Sequence, residues 1–300
     1  MPSRGATGLE HGAMVADQRV RTTAPVLTLL KTPTAGVVLA KPREHPAAMR
    51  LSLLCYALLA MPSLAASPES IERVASRRLF FGHQSVGGNL LDGVTDVSGG
   101  KVRVVQGRTP EALSTPGLVH TFVGQNEDPS GKVRDFEKAL DDVQGKADVA
   151  FFKFCYIDFS ASTDVEKLFA EYLASMERLH AKYPAVTFVH VTVPLTVVQS
   201  GAKAWLKRRL GRAPWGEQEN VVRHRYNQLL RAKFAGQPGV LFDLAAVEST
   251  RADGTPLWFE VSGAKVPMLV PEFTDDGQHL NVTGRRRAAD ALLEFLAKVP

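Results

Sequence analysis

Two unbroken apolar runs, Val149-Ala150-Phe151-Phe152-Lys153-Phe154-Cys155 and Val186 to Pro194, constrain this chain more than any other feature. Neither alternates apolar with polar residues, so neither suits a strand with one wet face. Runs of this kind belong to strands covered on both sides, and each is followed or preceded by a segment of helical period. The pattern predicts a first strand over Arg78 to Phe81 and a helix over Val86 to Val94. A second strand is predicted over Lys101 to Gln106, then a helix over Val133 to Val143 and a strand over Asp148 to Ile157. A long helix is predicted over Val165 to Tyr183, with Leu168, Tyr172, Met176 and Leu179 on one face and Pro184 to stop it. Val186 to Pro194 forms the next strand, Asn220 to Phe234 a helix, Gly239 to Leu244 a short strand, and Arg285 to Leu296 a closing amphipathic helix. Between Thr109 and Lys132, three prolines and three glycines argue for loop with short helical pieces. Strict alternation of strand and helix predicts a central parallel sheet with helices on both faces, and ligands gather at the carboxyl ends of such strands.

Length and charge narrow the function classes. Three hundred residues, 45% of them hydrophobic, suffice for one sizeable α/β domain. The formal charge is +5, but residues 1–66 hold seven Lys or Arg against three Asp or Glu, which leaves about +1 for the remainder. A nucleic-acid partner therefore loses its electrostatic argument. Residues 49–66, with Arg50 ahead of an apolar centre and a small-residue end at Ala65-Ala66, have the layout of a secretory signal peptide. Residues 1–48 show no periodicity and read as a non-native or disordered extension, with an export signal starting at Met49. Residues 67–300 are then the folded domain, placed in the periplasm or outside the cell, with no membrane span after signal cleavage. Cys55 would leave with the signal. Cys155 remains alone, which excludes an intramolecular disulfide and suits a buried structural thiol. The eight histidines lack zinc spacing, and no phosphate-cradling glycine loop occurs, so neither metal nor other cofactor is expected.

Two segments carry chemistry. In Leu79-Phe80-Phe81-Gly82-His83-Gln84-Ser85-Val86, an apolar run breaks at glycine and a serine stands just before a helical pattern, an arrangement able to present a nucleophile. The competing reading of Ser85 is a helix N-cap. Near the other end, Asp276-Gly277-Gln278-His279 puts a carboxylate three residues before an imidazole, spacing that can fix the imidazole tautomer. An Asx turn or a helix cap is the competing reading of Asp276.

The tail Asp276-Gly277-Gln278-His279-Leu280-Asn281-Val282-Thr283-Gly284, the helix around Tyr226-Asn227, the strand into Phe242-Asp243-Leu244 and the segment Phe81-Gly82-His83-Gln84-Ser85 together resemble the SGNH (GDSL-type) hydrolase superfamily, from about Arg78 to Leu296. The resemblance implies a flavodoxin-like three-layer α/β/α sandwich and hydrolysis of esters of lipids, acyl groups or carbohydrates. It makes Ser85 the nucleophile, His279 the general base and Asp276 its orienting partner. Oxyanion donors would be the Ser85 N–H, the N–H of Gly124 or of its competitor Gly131, and an asparagine amide. Where the family shows Gly-x-Asn-Asp, this chain has Cys155-Tyr156-Ile157-Asp158, so Asn126 or Asn89 is the candidate substitute. His83 is expected to support the serine or the substrate, and Asp158 to cap a helix starting near Thr163. The segment from Lys203 to Trp215, basic and aromatic, reads equally as a lid or anionic-partner patch and as an irregular solvated insertion. The leading function is an exported serine esterase acting on a small-molecule or polysaccharide ester. An O-acyltransferase and a non-catalytic glycan-binding or envelope protein on the same scaffold are the alternatives, and nothing in the residues sets an oligomeric state.

Overall fold

The computed structural model describes residues 65–300. The extension 1–48 and all but the last two residues of the signal-like segment 49–66 lie outside the described residues. The described chain opens with α1 (Pro68–Ala75), β1 (Arg78–His83), α2 (Val86–Ser98) and β2 (Val104–Gln106), followed by β3 (Gly117–Phe122), α3 (Pro129–Asp142) and β4 (Val149–Phe152). It continues through α4 (Val165–Lys182), β5 (Thr187–Val191), α5 (Gly201–Arg209), α6 (Glu217–Lys233), β6 (Leu241–Phe242) and α7 (Leu244–Glu248). A small antiparallel hairpin, β7 (Trp258–Val261) and β8 (Ala264–Pro267), precedes α8 (Val282–Leu296).

Six strands form one sheet in the order β2-β3-β1-β4-β5-β6, with every pairing parallel. With β2 as an added edge, the remaining five follow the flavodoxin-like order, whose switch point lies between β1 and β4. Alternate residues of β1 enter opposite layers. Phe81 packs with Val86, Leu90, Phe151 and Leu293 beneath α1, α2, α7 and α8, while Phe80 packs with Phe136, Phe152, Tyr172 and Tyr226 beneath α3, α4 and α6. The result is the expected three-layer α/β/α sandwich, and the uninterrupted apolar runs follow from burial on both faces.

Several boundaries differ from expectation. Gly117–Phe122, inside the stretch expected to be loop, is a full strand between β2 and β1. Its sequence Gly-Leu-Val-His-Thr-Phe has no clear period, and what makes it a strand is register with β1 on one side and β2 on the other. The expected helical piece is present as a 3-10 turn at Pro110–Leu113. Helix α3 begins at Pro129, earlier than Val133, because Asp128 accepts a hydrogen bond from the Gly131 N–H and proline suits the first turn. Strand β4 ends at Phe152, and the chain turns through a 3-10 segment at Tyr156–Asp158. Asp158 does not cap the following helix; Asp164 does, accepting from the Lys167 N–H. Asp158 is instead fully buried against Lys132, with both carboxylate oxygens 2.7 Å from Nζ. The segment around Trp205 is ordered as α5.

Among the described residues no helix is long and apolar enough to cross a membrane.

Candidate active site

Ser85 follows β1 at its carboxyl end and stands immediately before α2. It has φ 24° and ψ −92°, a positive-φ conformation that costs a non-glycine residue on the order of 1–3 kcal/mol. Although it occupies the cap position, its side chain makes no capping hydrogen bond. The Oγ instead lies 3.1 Å from His279 Nε2. Gly87 explains part of this placement, because a Cβ there would come within 2.5 Å of the His83 ring, so only glycine lets the first turn of α2 close over β1.

His279 lies in the turn before α8. Its Nδ1 is 2.7 Å from Asp276 Oδ2, while Asp276 Oδ1 accepts from the Gln278 and His279 N–H groups, each at 2.8 Å. The carboxylate thus closes an Asx turn and orients the imidazole at the same time. With Nδ1–H given to Asp276, Nε2 carries the lone pair and can accept a hydrogen bond from the Ser85 hydroxyl. Partial burial alone would raise the Asp276 pKa, but the hydrogen bonds from His279 and Gln278 outweigh it and hold the carboxyl well below the usual range. Gly277, at φ 84°, gives the turn its shape, and a Cβ there would meet Val197 at 2.8 Å.

The other residues singled out from sequence take different places. Asn89 Oδ1 accepts from the Leu280 N–H at 3.3 Å, tying α2 to the histidine turn. His83 is buried behind the serine, with Nε2 3.0 Å from His120 Nδ1. Burial, then the charges of Lys153 and His120, push His83 down to about 3, so it stays neutral near pH 7. Gly124 and Gly131 are corrected as free donors. The Gly124 N–H goes to Asp135 Oδ2 and the Gly131 N–H to Asp128 Oδ1, each at 2.8 Å. Gly124 is a glycine for another reason: at φ 55° its Cα faces the Lys132 backbone, 2.8 Å from where a Cβ would sit. Asn126 Oδ1 accepts from Lys132 Nζ at 3.1 Å, which ties its loop to the buried Lys132–Asp158 pair.

Tyr156 was not among the candidates. Its Oη lies 3.4 Å from His279 Nε2, and the two rings meet edge to face. Burial, followed by the Asp276 charge, raises its ionisation above that of an ordinary phenol, so it remains a donor. Arg223 holds it in place: Nε donates to the Tyr156 carbonyl at 2.9 Å, and the guanidinium lies over the ring. The sequence signal was the residue's place just after the buried strand, in the block where the family's asparagine was sought. The Ser85 N–H has no acceptor among the described residues, and the Tyr156 hydroxyl approaches the same His279 nitrogen as the serine oxygen.

Two cavities adjoin the relay. One of about 410 Å³ touches Ser85, His83, Gly88, Leu91, His120 and Phe122. A larger one of about 650 Å³ runs from Tyr156 and Gln278 past Trp215 to Lys167, Glu171 and Arg223. No group of three or more His, Cys, Asp or Glu among the described residues could hold a metal ion.

No family model matches the chain, and no curated protein matches it. Among solved structures it is similar to a protein described as a GDSL-like lipase from Parabacteroides merdae, at 13% identity and TM-score 0.41, covering 74% of this chain and 95% of that one. It is also similar to an acetylxylan esterase from Geobacillus stearothermophilus, at 13% identity and TM-score 0.35, covering 75% and 96%. A third likeness is to the OSK domain of Drosophila Oskar, at 12% identity and TM-score 0.37, covering 77% and 96%. These likenesses are of fold alone, and in fold the chain is similar to the SGNH (GDSL-type) hydrolases.

Proposed function

We propose that this protein is an exported serine esterase that removes a small acyl group from a carbohydrate or other hydroxyl-bearing molecule through an acyl-serine intermediate. The observation that carries the reading is the continuous relay from Ser85 Oγ through His279 to Asp276, with the serine held in a strained conformation that frees it from capping. In the proposed reaction Ser85 Oγ bonds to the ester carbonyl carbon as its proton passes to His279 Nε2, and the carbonyl π pair moves onto oxygen. Collapse of that adduct breaks the bond to the alcohol, which leaves with the proton from His279. Water then repeats the sequence, giving up its proton to His279 and returning it to Ser85 as the acid departs.

The developing oxyanion needs donors already in place, since each is worth on the order of 3 kcal/mol. We assign that role to the Ser85 N–H and the Tyr156 hydroxyl, since the Gly124 and Gly131 N–H groups are given to Asp135 and Asp128. The leaving alcohol must sit beside His279, which assigns it to the larger cavity at Tyr156 and Gln278 and leaves the smaller, more apolar one at Ser85 to the acyl group. Export rests on the segment 49–66, and the mass of the processed protein from its host tests it. The catalytic reading is tested with a fluorophosphonate probe and aryl acetates. Labelling at Ser85 and loss of turnover in Ser85→Ala are expected, and a folded protein that neither labels nor hydrolyses would overturn it.

A further inference from the structure

Helix α5 is built unlike the other helices. Of its nine residues only Ala204 is buried, while Trp205 is 59% exposed, Leu206 53%, and Leu210, at its carboxyl end, 64%. Residues 201–212 contain five Lys or Arg and no Asp or Glu. Arg208 turns back to pair with Glu217. Lys203, Lys207, Arg209 and Arg212 have no carboxylate within ion-pair distance among the described residues, and Arg209 lies over the Trp205 ring.

On a helix advancing about 100° per residue, Trp205, Arg209, Leu206, Leu210, Lys203 and Lys207 succeed one another around a little more than half of the circumference, opposite Ala204. Apolar and basic groups are thus interleaved on the solvent side. Water alone does not favour this arrangement, since three large apolar side chains gain nothing there. An anionic polymer would use the charges and leave the apolar groups wet. The interface of an anionic bilayer takes both: tryptophan and leucine enter the boundary of head groups and acyl chains while lysine and arginine meet the phosphates.

We propose that α5 docks this protein on an anionic lipid bilayer. The excursion that carries α5 leaves and rejoins the body beside the histidine turn, where the Val197 N–H donates to the Gly277 carbonyl at 2.9 Å and the Gln199 N–H to the Trp215 carbonyl at 3.0 Å. A membrane held by α5 therefore lies close to the proposed active site. The proposal does not depend on the esterase reading.

Flotation of the full protein with phosphatidylglycerol–phosphatidylcholine vesicles, and with phosphatidylcholine vesicles alone, tests it. Binding to the mixed vesicles only is expected, with a loss on the order of a hundredfold for Lys203→Gln/Lys207→Gln/Arg209→Gln. A loss of at least about tenfold is expected for Trp205→Ser/Leu206→Ser/Leu210→Ser. Unchanged thermal unfolding and an unchanged far-ultraviolet circular dichroism spectrum show that the variants fold. Equal binding to both vesicle types overturns the proposal. Full binding by the serine triple variant overturns it in favour of a soluble polyanion, and lipid-free dimers that this variant abolishes overturn it in favour of a second copy of the chain.

Discussion

Gly93 of α2 faces the carbonyl of Arg285 in α8 so closely that a Cβ would lie 2.3 Å from that oxygen. Because Ser85 immediately precedes α2 and His279 lies three residues before α8, the approach at Gly93 is expected to set the separation of these two side chains. Gly93→Ala should force the helices apart by a few tenths of an ångström or more, at a cost of roughly 1–3 kcal/mol for overpacking. The hydroxyl–imidazole distance should lengthen with it. Thermal unfolding and kcat for an aryl acetate measure the two effects separately, and a variant with unchanged kcat would show that the helix spacing does not govern the relay.

Tyr156→Phe removes one hydroxyl and leaves the ring on Arg223. If the proposed oxyanion role holds, loss of this hydroxyl should lower kcat by roughly a hundredfold with little change in KM. Affinity for an arylboronic acid, whose adduct with Ser85 is tetrahedral, should fall in parallel. Activity within about threefold of the parent would remove Tyr156 from the mechanism without touching Ser85.

Lys132 and Asp158 are both fully buried, and Asp158 also accepts from the Glu127 and Cys155 N–H groups. Lys132→Met should leave a buried carboxylate without its cation, lowering stability by about 3–5 kcal/mol. Urea unfolding measures this. The loop 126–128 and the turn that carries Tyr156 share this pair, so activity should fall as well.

Glu248 is buried, and burial raises its pKa to about 8 despite a hydrogen bond from the Leu195 N–H and the nearby charges of Lys153 and Arg223. A carboxyl that binds its proton more tightly folded than unfolded opposes folding as pH rises from the ordinary value of 4.5 through 8. Melting temperature should therefore decline across that window, and Glu248→Gln should flatten the decline. A parallel decline in the variant would assign the effect to other groups.

The sequence was most informative where local pattern and final environment agree. The apolar runs of β4 and β5 could only be doubly covered strands, and α4 declared its buried face through Leu168, Tyr172, Met176 and Leu179. Gly117–Phe122 escaped because its strand character comes from two neighbours in register, and a local window contains neither. The same division runs through the site. Asp276 and His279 are three residues apart, so their contact was legible from spacing, whereas Ser85 stands 194 positions from His279 and meets it only because α2 and α8 pack together. The donors were least legible of all: Gly124 and Gly131 have suitable N–H groups, but the fold gives them to Asp135 and Asp128. Residue type by itself determined which chemistry was possible and which segments could be strand or helix. Only the tertiary structure decided which polar groups remained unpaired beside the serine, because hydrogen bonds between distant segments are settled by packing and leave no period in the chain.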